Sequence, residues 1–414
     1  MSSVVIVGAG HGGTQAAASL REEGFDGAVV LIGNEPGIPY HRPPLSKSFM
    51  EHGDPERIFL RSATFFREKA IDYRPGLAVI EIDPGQRTVT TSDGKSISYG
   101  QLILATGSQP FRPPIPGSKL PGIVSLHRLD DAVSLRARLQ PAARAVVIGA
   151  GFIGLEFAAK ARQIGLHVTV IEAESRVLGR AVSAALAAEV EARHRALGVD
   201  LRLNAVLDCI HADASGNAHA VQLRTGETIE ADILLFATGI RPNTALAEAS
   251  GLAVSNGVVV DEFLSTSDEN ISALGDCANF PDHTGGERIR LECVQAATDH
   301  ARTIARRLTG KPEPYRSLPW FWSDQGDMKL QIAGFDGRRE LPPGDVFTMD
   351  LGNGRYVACR FAAGQLKAVE TLNAPALHMA ARKLLAFEAA PRQADVIAAD
   401  GNLQSLLSGK LVEN

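Results

Sequence analysis

Short unbroken apolar runs, each closed by glycine or a small residue, punctuate this chain. Val4-Val5-Ile6-Val7 precedes Gly8, and Val146-Val147-Ile148 precedes Gly149. Leu102-Ile103-Leu104 leads into Ala105-Thr106-Gly107, and Leu234-Leu235-Phe236 into Ala237-Thr238-Gly239. Runs that do not alternate in polarity fit strands covered on both faces, the condition of a parallel sheet in an α/β fold. The first run is followed by a predicted helix over 12–23 and a second strand over 28–32 that ends at Asn34-Glu35. The second is followed by a helix from Leu155 to Ile164 and a strand Val168-Thr169-Val170-Ile171 that ends at Glu172, so a βαβ unit spans 144–172.

Elsewhere the pattern alternates. Residues 76–99 do so, with turn signals at Asp83-Pro84-Gly85 and Asp93-Gly94, and predict a β-meander. A helical stretch over 181–197 leads to a second meander over 199–236. The order glycine loop, meander, Ala-Thr-Gly thus occurs twice and reads as an internal duplication. Five prolines between Pro110 and Pro121 predict a linker at a domain edge, and Arg241-Pro242-Asn243 a second crossover. A helix is predicted from about 295 to 308. Past Pro319, shorter strands, Gly-rich turns and a final helical stretch near 376–388 read as a separate α+β domain.

Chemistry enters at the two glycine loops, Gly8-Ala9-Gly10-His11-Gly12-Gly13 and Gly149-Ala150-Gly151-Phe152-Ile153-Gly154. In each, the first glycine permits the tight turn, the second lets backbone approach a pyrophosphate, and the third lets helix pack on strand. Phosphates then lie at the positive end of the helix. Two complete copies imply two dinucleotides and electron passage between them. The remaining composition narrows the class. The 414 residues are 45% hydrophobic and 21% charged with a net charge of -5, which argues against general nucleic-acid binding. No apolar run reaches the roughly 18 residues needed to cross a bilayer, and the absence of a leader segment predicts a cytoplasmic protein. Cys209, Cys277, Cys293 and Cys359 form no C-x-x-C or C-x4-C pair, which predicts four reduced thiols and no redox dithiol or metal site.

Four further motifs are specific: Arg42-Pro43-Pro44-Leu45-Ser46-Lys47, the extension of the second loop to Leu155-Glu156, Thr266-Ser267-Asp268 leading to Gly275-Asp276-Cys277, and Pro319-Trp320-Phe321-Trp322-Ser323-Asp324-Gln325. Over essentially its whole length the chain resembles the NADH-dependent ferredoxin reductases that serve bacterial oxygenases, within the two-dinucleotide flavoprotein superfamily. The tryptophan motif is the discriminating part; the glycine loops place the chain only in the superfamily. The resemblance implies a glutathione-reductase-like α/β flavoprotein with two Rossmann-type dinucleotide-binding domains and a C-terminal α+β domain. The FAD-binding domain would be split over 1–108 and 241–317, with an NADH-binding domain at 109–240 and an interface domain at 318–414. FAD and NADH are the implied cofactors. A two-iron ferredoxin is the implied partner, supplying a monooxygenase or a ring-hydroxylating dioxygenase.

Site residues follow from the same resemblance. Gly8, Gly10, Gly12 and Gly13 would hold FAD, with Asn34 or Glu35 on its adenosine ribose, and Arg42 and Val79 among its contacts. Thr106 and Gly107 would border the flavin nucleotide, and Thr238 and Gly239 the cofactor crevice. Asp276 matches the aspartate that bonds the ribityl chain. Val294 opens a helix whose positive end would face flavin N1 and the C2 carbonyl, lowering the cost of reduction. The family commonly reads Leu-Arg-Thr where this chain has Leu126-His127-Arg128, so either His127 or Arg128 takes the arginine's place. Gly149, Gly151, Ile153 and Gly154 would hold NADH. Glu172 would accept from a free 2′-hydroxyl and repel a 2′-phosphate, although Arg176 and Arg180 stand near, and Arg180 is placed in the nucleotide site. Lys47 and Glu156 would meet near flavin N5, the lysine stabilising electron density on the reduced ring and the glutamate balancing its charge. Read without the resemblance, Lys47 is a solvated loop residue and Glu156 a first-turn acid favoured by the helix dipole. Trp322 would wall the nicotinamide side of the flavin and join Lys47 and Glu156 as the catalytic groups, while Trp320 fits an interdomain core. His11 has no acid–base task, since hydride transfer needs positioning and electronics. Arg306, Arg307 and Lys311 form a basic cluster that an acidic ferredoxin could meet.

Neighbouring readings are a rubredoxin reductase and an NADH peroxidase-type enzyme. The latter usually carries a redox cysteine after the first ribose-binding strand, and residues 35–50 contain none. A binding or signalling protein like apoptosis-inducing factor shares Arg-Pro-Pro-Leu-Ser-Lys but often carries a long basic or targeting extension.

Overall fold

The apolar runs pair side by side and in parallel. The computed structural model describes residues 3–283, 287–334, 337, 341–387 and 389–413. The chain divides into two compact units, one of residues 1–42, 54–109 and 240–317, the other of 43–53, 110–239 and 318–414.

In the first unit five parallel strands lie in the order Ile271–Ala273, Gln101–Leu104, Ser3–Val7, Ala28–Gly33, Ile71–Pro75. Val4, Val5, Ile6, Leu102 and Ile103 at its centre are fully buried. Each such side chain contributes roughly 1.5–3 kcal/mol by leaving water. The helices His11–Glu22 and Val294–Leu308 pack on each other through faces rich in buried alanine. The first meander forms as Val79–Asp83, Thr88–Thr91 and Ser96–Ser98, antiparallel, with Val79, Ile82 and Val89 inward. Ile71–Pro75 breaks the apolar-run rule because it is an edge strand, carrying Asp72 and Arg74.

The second unit repeats the plan. Its parallel strands run Asp200–Arg202, His167–Ile171, Arg144–Ile148, Ile233–Phe236, Ile123–Ser125. The second meander is shorter than the polarity pattern predicts. Leu207–Ala212, Ala218–Leu223 and Thr228–Glu230 build it. Ile233–Phe236 is buried along its whole length and joins the parallel sheet instead. The proline-rich stretch is packed down: Ile210 N–H donates to Pro116 at 3.0 Å and Ala218 N–H to Pro121 at 2.9 Å.

The C-terminal part adds an antiparallel sheet ordered Trp320–Gln325, Met328–Gly334, Gln365–Leu372, Tyr356–Ala362, Val346–Asp350. The helix Pro375–Leu385 covers it, its Leu384 packed with Val357, Phe361 and Val369. The predicted helical stretch ends earlier than 388, a position outside the described residues. Two more helices, Gln393–Ala398 and Leu403–Glu413, follow. Glu370, fully buried in this sheet, accepts from the Ser183 hydroxyl at 2.6 Å and backbone N–H at 2.9 Å, and pairs with Arg360 at 3.0 Å. Ser183 in turn caps the helix Ala184–Ala196. Among the described residues no helix is long and apolar enough to cross a membrane.

Candidate active site

Both glycine loops follow one construction. Gly8 and Gly149 turn at φ +110 and +106, where a Cβ would lie 2.2 and 2.4 Å from the carbonyl oxygens of Ala105 and Ala237. A Cβ on Gly13 or Gly154 would lie 1.8 or 2.2 Å from the oxygen of Gly8 or Gly149. These four glycines are demanded by the protein's own backbone. The middle ones are not. A Cβ on Gly10 meets nothing within 4 Å, and on Gly151 its nearest neighbour is Ala237 O at 3.9 Å. Gly10 and Gly151 are also the N-caps of the helices His11–Glu22 and Phe152–Ile164, and neither offers a side-chain cap. Uncapped first-turn N–H groups beside open space are what a phosphate requires. Gly12 belongs to packing, its Cβ direction ending 2.3 Å from Leu274.

In the first unit, Glu35 is gripped by Arg42 at 2.6 Å and by the Tyr40 hydroxyl, while Asn34 is exposed. Thr106 and Asn243 exchange hydrogen bonds, Thr106 Oγ1 to the Asn243 carbonyl and Asn243 Nδ2 to the Thr106 carbonyl, both at 2.8 Å, which fixes the turn at Thr106-Gly107. Asp276 accepts from Ser108 Oγ at 3.0 Å, and burial of its carboxyl pushes it up to about 6. His300, held down to about 3 by burial, accepts the Gly275 N–H at 3.2 Å and so sets the turn that carries Asp276. Val294 is the first residue of its helix, capped by Cys293 Sγ. Val79 is nearly buried in the meander. His11 lies beside His41 at a 5.1 Å ring separation, and burial brings it down to about 4. The basic cluster is not a free positive face. Arg306 pairs with Glu23 and Glu313, Lys311 with Glu23, and Arg307 donates to Ser272.

In the second unit, Glu172 folds back onto its own loop, accepting from Ala150 N–H at 2.8 Å and Glu174 N–H at 2.9 Å. A carboxylate has about four acceptor positions, so two remain for a ribose diol. Ile153 is 37% exposed, and the Arg180 guanidinium lies against Gly239. Thr238 Oγ1 donates to the Phe111 carbonyl. The backbone N–H groups of His127 and Arg128 both donate to Asp131.

Near the start of the helix Phe152–Ile164 lies a second buried acid of this unit, Glu156. It is 5% exposed, lies 2.8 Å from Lys47 Nζ, and accepts from Ser46 at 2.5 Å and Ser323 at 2.6 Å. One turn on, Lys160 pairs with Glu51, so positions i and i+4 of one helix hold the segment 43–53. Strand Trp320–Gln325 divides its side chains by period two. Phe321, Ser323 and Gln325 take one face, where Phe321 packs on Phe152 with ring centroids 4.4 Å apart. Trp320 and Trp322 stack on the other face at 5.5 Å, with Arg382 over the Trp320 ring. The structure therefore brings Lys47 and Glu156 together, and sets Trp322 across the strand from them. Sequence reasoning missed Ser46, Ser108, Asn243, His300, Ser323 and Gln325. Ser323 and Gln325 had a signal, alternation within a motif already marked as specific. The four cysteines are free thiols.

Comparison with known proteins agrees with this geometry. Residues 2–301 match the pyridine nucleotide-disulphide oxidoreductase family and residues 320–407 the reductase C-terminal family. Rhodocoxin reductase of Rhodococcus erythropolis is 44% identical over 388 residues, 93% of this chain and 90% of the relative. A rubredoxin-NAD(+) reductase of Pseudomonas putida is 39% identical over 376 residues, 90% of this chain and 96% of the relative. The crystal structure of the ferredoxin reductase for the CYP199A2 system of Rhodopseudomonas palustris superposes with a TM-score of 0.93 at 38% identity, covering 98% of this chain and all of that one. With loops, sheets and sequence in agreement along most of its length, the chain belongs to the pyridine nucleotide-disulphide oxidoreductase family.

Proposed function

We propose that this protein passes electrons from NADH through FAD to a two-iron ferredoxin that supplies a monooxygenase or ring-hydroxylating dioxygenase, in the cytoplasm. The observation that carries the reading is the pair of open cradles, Gly10 and Gly151, each at an uncapped helix start on its own parallel sheet. When bound, FAD supplies the conversion of a hydride pair into single electrons.

Residues 1–108 and 241–317 form the FAD domain, 109–240 the NADH domain and 318–414 the interface domain. The loop Gly8–Gly13 receives the FAD pyrophosphate, and Glu35, oriented by Arg42, receives the adenosine ribose, with Asn34 beside it. Val79, Thr106, Gly107 and either His127 or Arg128 complete the contacts. Asp276 accepts a ribityl hydroxyl, and the helix that begins at Val294 offers its positive end to the pyrimidine edge. Gly149, Gly151, Ile153 and Gly154 seat the NADH pyrophosphate. Glu172 selects the free ribose, with Arg180 and Gly239 at the crevice. Lys47, balanced by Glu156, steadies negative charge on the reduced ring, and Trp322 excludes water.

Steady-state NADH oxidation with a panel of two-iron ferredoxins and a rubredoxin tests this. At least one ferredoxin should raise the rate well above that with oxygen alone. A rate that only rubredoxin raises would transfer the assignment to the second reading, which the 39% identity to a rubredoxin reductase supports.

A further inference from the structure

The hydrogen-bonded cluster at Glu156 extends well past Lys47. Ser323 Oγ donates to Glu156 Oε1 at 2.6 Å, Gln325 Nε2 lies 3.1 Å from Ser323 Oγ, and His194 Nε2 lies 2.8 Å from Gln325 Oε1. Ser323 and His194 are fully buried and Gln325 is 1% exposed. The direction of each bond follows from its end point. A carboxylate has no proton to give, so the Ser323 hydroxyl hydrogen goes to Glu156 and its oxygen can only accept. The Gln325 amide NH2 must then face Ser323, and its carbonyl must face His194. His194 must carry its proton on Nε2. Every donor points toward Glu156, an arrangement in which each bond polarises the next.

Nδ1 of His194 is thereby left as a bare lone pair, buried and without a hydrogen-bond partner among the described residues. A second ring proton would have nothing to receive it, and burial holds the imidazole below its ordinary pKa. His194 is a fixed neutral donor. The cluster is not a proton wire, because it runs through an amide and stops at an enclosed nitrogen. Its effect falls on geometry. Lys47 is a flexible stem whose other described contact is the Pro43 carbonyl at 3.3 Å, so its ammonium sits where Glu156 puts it.

We propose that Gln325 and His194 are positioning residues for the hydride-transfer step. They hold the Ser323 hydroxyl so that it and the Lys47 ammonium share Glu156 Oε1. The proposal rests on the reading above that Lys47 serves the flavin, and the test separates the two.

Gln325→Leu, His194→Leu, His194→Gln and Lys47→Met are compared in the FAD-loaded enzyme. The readouts are the anaerobic rate constant for flavin reduction by NADH, the KM for NADH, the flavin midpoint potential and Tm. Each leucine variant should slow flavin reduction about tenfold and lower the midpoint potential in the same sense as Lys47→Met but by less. The KM should stay within about twofold, the sign of an interaction that acts on the reacting state. His194→Gln restores an N–H donor and should recover most of the rate. Leucine variants that lose Tm yet reduce flavin at the parental rate overturn the proposal, and so does a His194→Gln variant as slow as His194→Leu. An unaltered Lys47→Met enzyme instead sinks the flavin role of the pair itself. Should Gln325→Leu fail to fold, Gln325→Glu, isosteric but presenting an acceptor where Ser323 needs a donor, is expected to be slow; a parental rate there also counts against the proposal.

Discussion

The two glycine loops share a backbone and differ in the side chain after the middle glycine and in the acid nearby. Gly8 with Gly13, and Gly149 with Gly154, are fixed by clashes with main-chain oxygens in the same places. The next position has diverged: His11 lies beside His41 in one loop, and Phe152 packs on Phe321 in the other. The acids have diverged too. Glu172 bonds its own loop at Ala150, whereas Glu35 is held by Arg42 and Tyr40 from the segment that follows. The two loops thus share what the chain needs to fold and differ in what a nucleotide would touch. The same comparison sorts glycines by purpose, since only the middle one of each loop is left unexplained by protein contacts.

The sharpest break of that comparison is Gly13→Ala against Gly10→Val. The first pushes a methyl into a carbonyl with no room to relax, and should cost about 3 kcal/mol or prevent folding, read by denaturant melts. The second should give a folded but colourless protein whose flavin content falls near zero. If Gly10→Val retained its flavin, the open cradle would have another purpose. Gly151→Val should leave flavin in place and raise the KM for NADH roughly a hundredfold, equivalent to ~3 kcal/mol. Next in size, Glu172→Ser should move the NADPH-to-NADH preference about tenfold toward NADPH, or ~1.4 kcal/mol, as measured by kcat/KM ratios. Since Glu172 also bonds Ala150, part of its loss should show as a lower Tm.

The smallest effect concerns Asp276, the acid outside both loops. Its folded pKa is raised to about 6 from 3.8. As pH climbs between these values the unfolded chain releases a proton that the folded chain keeps, so stability falls across that window and stays lower above it. Asp276→Asn should flatten this decline in flavin-free protein, by on the order of 1 kcal/mol after solvent screening. It should also weaken flavin retention. Parallel stability–pH curves for the two proteins would count against the assignment.

The sequence was legible where chemistry is local. Val4–Val7 with its glycines and Glu172 at a strand end are both short-range patterns. The polar chain behind Glu156 was not. Ser323 is 167 positions from Glu156 and Gln325 is 131 from His194, and no periodicity connects them. Ser108 and Asp276, 168 apart, are another case. Short strands such as Ile123–Ser125 were illegible for a different reason, three residues being too few to show a pattern. The basic cluster misled because a linear run of arginines says nothing of Glu23 and Glu313 folding onto it.

The buried clasp between Glu370 and Ser183 bears on how such reductases can be re-engineered. A designer who grafts a foreign tail onto this chain at residue 318, hoping to change its electron acceptor, would strip Ser183, the cap of the helix Ala184–Ala196, of its Glu370 partner and leave Ser183 and His194 facing an unrelated surface. Successful chimeras would have to transplant that helix along with the tail, which makes the effective module discontinuous in the gene.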